Sequence, residues 1–178
     1  MVIRLSIILF AFSGMLLPAT LKAQDSKGNK IIRDSKTAKA EFIKSDGLMK
    51  NLFDNSHGYV IFPNVGKGGI GVGGAAGNGT VYEKGKVIGS AKMKQVSVGF
   101  QFGGQAYREV IFFENKAALD RFKEDNFEFA AQASAVAANK GASVDAKYKD
   151  GVMVFTQEKK GLMYEASIGG QKFSYSAF

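Results

Sequence analysis

The sequence predicts an α+β fold: a strongly curved, glycine-rich antiparallel sheet, barrel- or sandwich-like, with short N-terminal helices and one further helix near 116–123. Three observations predict it. Fourteen of the chain's 22 glycines fall between Gly58 and Gly104. Around them apolar and polar residues alternate, as in half-buried strands. Segments on either side, near 35–44 and 116–123, instead space their apolar residues three and four apart, on one helical face.

The chain has 178 residues, 46% hydrophobic and 22% charged, which suits one globular domain. Arg4 followed by the apolar run Leu5–Leu17, Pro18 and a small residue at Ala23 reads as a secretory signal peptide over 1–23. The run is short for a membrane-spanning helix, although an uncleaved anchor is the alternative. A polar leader, 24–34, then precedes a single domain, 35–178. Loss of 1–23 leaves 22 basic against 16 acidic residues, a charge of +6. An exported chain of that charge meets anionic membrane surfaces more readily than nucleic acid. There is no cysteine, so disulfides, thiol catalysis and thiolate metal sites are excluded.

In chain order, a helix is expected over Ser35–Lys44 with Asp34 or Ser35 as N-cap, and a second over Asp46–Asp54 with Leu48, Met49, Leu52 and Phe53 inward. Lys27, Lys30, Arg33, Lys36 and Lys39 recur every third residue. On a helix each such step turns back about 60°, so the five spread around the circumference. A strand at Tyr59–Phe62 is expected to end at a Pro63-Asn64 turn. Gly68–Ala76 follows as a strand, with a hairpin at Asn78-Gly79 and another turn at Lys84-Gly85. Val87–Lys94, Gln95–Phe102 and Gln105–Phe113 read as three more strands. Asn115 caps a helix over Lys116–Lys123 whose Ala118, Leu119 and Phe122 face the sheet. The stretch 127–138 alternates like a strand but is alanine-rich like a helix; strand is preferred. A closing β-meander is expected: Ser143–Tyr148, Val152–Thr156, Leu162–Ala166 and Gly170–Tyr175, with turns at 149–151 and 159–161.

Catalytic signals are absent from the pattern. Gly69, Gly71 and Gly74 match a dinucleotide fingerprint by letter, but a strand rather than a helix follows them. His57 is the only histidine, which excludes a histidine-based triad or multi-histidine metal site. The carboxylates show no paired arrangement of the kind that hydrolyses glycosides. Neither a catalytic residue, a metal nor a cofactor is expected. The terminal Phe178 resembles the end of a membrane barrel strand. Two-residue steps back from it, however, reach Ser176, Ser174 and Lys172, all polar.

The run Gly58-Tyr59-Val60-Ile61-Phe62-Pro63, then Lys67-Gly68-Gly69 and Gly73-Gly74, resembles the SYLF domain. So do 98–107, containing Gln101, Gly104 and Gln105, and the terminal stretch Gly169–Phe173. The resemblance spans about Leu52 to Tyr175. It implies a lipid-binding module of the type exported by bacteria, periplasmic or peripheral to the outer membrane. Eukaryotic relatives bind phosphoinositides and some bind actin, which is not expected of an exported chain. The expected ligand is therefore an anionic phospholipid or membrane surface. Lys67 matches the lysine before the paired glycines, and Lys84, Lys86, Lys92 and Lys94 surround the hairpins. With Lys36 and Lys39 these are the candidate head-group contacts. The alternative is a structural or protein-interaction module that meets an envelope partner and binds no lipid.

Overall fold

The computed structural model describes residues 19–70, 72–98, 105–124, 127–130, 133–159 and 165–178. Its centre is one nine-stranded sheet, order β5-β9-β3-β2-β1-β4-β7-β6-β8, curled into a half-barrel. The strands are β1 Gly58–Ile70, β2 Val72–Glu83, β3 Lys86–Val98, β4 Gln105–Phe113, β5 Phe127–Glu128, β6 Ser134–Ala137, β7 Val152–Glu158, β8 Glu165–Ser167 and β9 Gln171–Ala177. Among the described residues there are three helices: α1 Ala19–Ser45, α2 Met49–Asn55 and α3 Lys116–Lys123.

The sheet is buried on both faces because its long strands carry apolar residues at both parities. Val60, Phe62, Ile111, Phe113 and Val154 point into the concave side, where Ala118, Leu119 and Phe122 of α3 close the core. Tyr59, Ile61, Phe112 and Phe155 point to the convex side, where Ala38 and Phe42 of α1 and Met49 and Phe53 of α2 cover them. Helix α3 begins where expected: the Asn115 side chain accepts a hydrogen bond from the Ala118 N–H at 3.0 Å. The terminal strand also follows its parity. Phe173 is buried, while Lys172, Ser174 and Ser176 are exposed.

Several expectations are corrected. The segment expected as a loose leader is helical, and α1 runs through the proposed N-cap. Ser35 is buried instead, donating to the Thr80 hydroxyl at 3.0 Å and to the Ile61 carbonyl at 3.3 Å. Leu48 is 54% exposed rather than inward. Pro63-Asn64 does not end β1. A bulge between Ile61 and Asn64 absorbs the proline, which has no N–H to give to the ladder. The chain reverses between Ile70 and Val72, and Asn78-Gly79 lies inside β2. There a Cβ on Gly79 would stand 2.7 Å from the Ile61 carbonyl oxygen and 2.8 Å from the Phe62 ring. That glycine serves close packing, not a turn.

Lys86–Val98 is one strand rather than two. The 127–138 stretch contributes two short strands, and Ser143–Tyr148 contributes none. The ending is no meander: β9 pairs with β3, and β6 lies parallel to β7. The sheet is therefore mixed at that edge. The expected strand end at 99–102 and the 160–161 part of the last turn lie outside the described residues. Lys84-Gly85 and Asp150-Gly151 do turn the chain, all four at positive φ.

Candidate functional site

Strand β3 divides its residues by parity. Ala91, Met93 and Gln95 are buried, and Lys92, Lys94 and Val96 are exposed, Val96 by 75%. The β9 register sets Lys172 directly across from Lys94 and Ser174 across from Lys92. On the other side β2 offers only Gly74, Ala76 and Asn78 opposite Val96, Lys94 and Lys92. Three ammonium groups thus share an exposed convex face whose other residues on β2 and β9 are small or short and polar. Like charges directly opposite across a sheet are unfavourable. Lys172 reaches Glu128 at 3.3 Å, with both side chains well exposed, so that pair contributes little.

The other candidate lysines are spread over the molecule. Lys84 sits in the β2–β3 turn and Lys86 opens β3. Eight residues along the strand place Lys86 about 26 Å from Lys94. Lys67 is half-buried at the concave parity, facing Ala75 on β2 and Gln105 on β4. Lys36 is exposed on α1. Lys39 turns inward: its Nζ lies 4.7 Å from the Phe53 ring centroid and 5.0 Å from that of Tyr59, and donates to the Tyr59 hydroxyl at 3.1 Å. Burial lowers its pKa, with Asp54 acting in the opposite sense. Lys39 joins α1 to the base of β1 and is not free for a ligand. The structure therefore brings together Lys92 and Lys94, with Lys172, which sequence reasoning missed. The polar parity of 172, 174 and 176 was the available signal; the partner strand was not.

Among the motif glycines, Gly68 pairs with Gly74 and Gly69 with Gly73 at the tip of the β1–β2 hairpin. A Cβ on Gly58 would stand 2.7 Å from the Tyr82 carbonyl oxygen. Gln105 opens β4; Gln101 and Gly104 lie outside the described residues.

The concave side holds a polar layer that sequence reasoning also missed. Glu109 on β4 is fully buried and faces Thr156 across the β4–β7 ladder. From β9 the Gln171 amide donates to Glu109 Oε2 at 3.0 Å. Glu109 Oε1, Thr156 Oγ1 and Gln171 Oε1 have no hydrogen-bond partner. Burial raises the Glu109 carboxyl from 4.5 to about 7, against the Gln171 hydrogen bond. The neighbouring Tyr107 hydroxyl is pushed up as well, by burial and then by Glu109. The unbroken apolar run Val110–Phe113 was the signal, because a strand buried on both faces buries its neighbour too.

His57 is paired, its Nε2 lying 3.0 Å from Glu83 Oε1. Among the described residues no group of three metal-ligating side chains occurs, and no helix is long and apolar enough to cross a membrane. The convex face thus presents uncovered positive charge to solvent, and the core holds a carboxyl whose charged form burial disfavours.

Residues 94–176 match the family model described as Ysc84, Las17-binding protein actin regulator. The chain is also 30% identical over 169 residues to Beta cell expansion factor A of Aeromonas veronii. The alignment covers 86% of this chain and 64% of that relative, so the chain spans less than two thirds of the relative's length.

Proposed function

We propose that this chain is a SYLF-type protein and that it works as a peripheral lipid-binding module of the cell envelope, with the β3–β9 lysine face against anionic head groups. Family membership supports a lipid-binding, membrane-associated module. It also points to binding rather than catalysis, since SYLF is a non-catalytic domain family. The anionic ligand and the envelope location are our extension of it. One observation carries the extension: Lys94 and Lys172 face each other on an exposed strand pair with Lys92 alongside. Such an arrangement is disfavoured until an anion lies over it. Each basic residue near an anionic surface contributes about 1 kcal/mol. The apolar leader at 1–23 supports export. Actin regulation, part of the family's description, is left out of the proposal for that reason.

Sedimentation with vesicles tests the reading. Phosphatidylglycerol vesicles should carry the protein down and neutral phosphatidylcholine vesicles should not, with binding that weakens as salt rises. Equal sedimentation with both, or with neither, refutes it. The broad exposure of Val96 among the lysines favours a second reading, a protein partner on the same face. Salt-resistant capture of one envelope protein without vesicle binding would establish that reading instead.

A further inference from the structure

A cavity of about 560 Å³ opens between α3, the β5–β6 segment and β7, at the gap between the two ends of the curled sheet. That volume lies within the range of small-molecule sites, roughly 300–1,000 Å³. None of the seven lysines singled out from the sequence lines it.

We propose that this cavity takes a single acyl chain bearing an anionic head, the chain on the aromatic floor and the head at the charged rim beside Arg121, Lys147 and Lys149; the idea rests on the lipid-binding reading above. The floor is apolar: Phe127, Phe129, Val136, Val152 and Ile168. Its rings are held from behind. Phe127 stands 5.5 Å from Phe122 and 5.4 Å from Phe129, and Phe129 stands 5.3 Å from Phe173, in largely edge-to-face contacts. The wall is thus built before any ligand arrives, which reduces the ordering cost of binding. Val136, on the outer parity of β6, is 36% exposed and lies on the same wall.

The rim is built as well. Arg121 of α3 donates to the Asp150 carbonyl oxygen and fastens the turn before β7. Gly151, at positive φ in that turn, packs so closely on α3 that a Cβ would stand 3.0 Å from the Ala118 Cβ. Arg121, Lys147 and Lys149 supply positive charge, and Glu124, Glu128 and Asp150 negative. The rim charges themselves balance, three against three, with Glu128 turned to Lys172 of the convex face at 3.3 Å, so the head meets Arg121, Lys147 and Lys149 against Glu124 and Asp150. An acyl chain with a carboxylate or phosphate head matches that combination.

The test is displacement of a fluorescent fatty-acid analogue from the purified chain. Saturable binding is expected, with palmitate displacing the analogue at least tenfold more effectively than hexadecanol. Lysophosphatidylglycerol in place of palmitate distinguishes a phosphate head from a carboxylate. Val136→Phe, which fills the cavity from its exposed edge, should weaken analogue binding at least tenfold and leave vesicle sedimentation unchanged. No saturable binding by the unaltered chain, or undiminished binding by V136F, overturns the proposal. Vesicle binding without analogue binding removes the cavity site and leaves the convex face standing. Analogue binding without vesicle binding does the reverse.

Discussion

Replacing Glu109 by Gln should make the protein more resistant to rising pH. The carboxyl is fully buried, and burial moves it from 4.5 to about 7. The folded state thus holds a proton that the unfolded chain has released over that window. Stability from this group is therefore present at acid pH, falls as pH rises through 4.5 to 7, and is lost above about 7. The displacement corresponds to about 3 kcal/mol, at about 1.4 kcal/mol per pH unit. Glutamine keeps the carbonyl that accepts from Gln171 and can offer an amide N–H to the unpartnered Thr156 hydroxyl. It cannot ionise. Urea unfolding of both proteins at a series of pH values from 4 to 8 measures the effect. The difference in unfolding free energy, variant minus parent, should climb by about 3 kcal/mol across the window, while other titrations cancel. Curves that stay parallel from pH 4 to 8 would show that Glu109 has an ordinary carboxyl, and the account of the polar layer would fail.

Gly79→Ala should destabilise by about 1–3 kcal/mol in thermal or urea unfolding, because its Cβ would press on the Ile61 carbonyl and the Phe62 ring. A neutral outcome would show that β1 and β2 can separate there at little cost. Asn115→Ala should cost about 1 kcal/mol by removing the side chain that caps α3, and Asn115→Asp should retain most of it. Equal losses in both would place the contribution of Asn115 outside the cap.

What the sequence made legible was local. Asn115 followed by Ala118, Leu119 and Phe122 defines α3 because capping and one-sided burial act within a dozen residues. Strand β4 emerged with its bounds at Gln105 and Phe113 for the same reason. Failures came where distant partners decide. Pro63 signals a turn on its own, yet pairing on both sides carries β1 past it with a bulge. Asn78-Gly79 has the composition of a hairpin, but β1 and β3 hold both its edges, and Phe62 occupies the space a side chain would need. Ser35 looks like a cap from its neighbours and becomes a buried donor because Thr80, 45 residues away, lies beneath it. The lysine face has the same character. Lys92 and Lys94 were visible as alternating charges; that Lys172 meets them depends on β9 returning to β3 across the whole fold.

That return makes the face testable as a compromise between stability and binding. Lys94→Glu would place a carboxylate directly across from Lys172. Opposite charges in register contribute about 0.2–1 kcal/mol, so the variant should unfold at the same or slightly higher denaturant concentration. On an anionic vesicle the same change removes one attraction and adds one repulsion, about 2 kcal/mol, or roughly thirtyfold in partitioning. Stability and vesicle affinity should therefore move in opposite directions. A lysine retained for the fold would lower both when replaced, and one retained for solubility alone would change neither. Binding that falls while stability holds or rises separates a lipid-facing lysine from both.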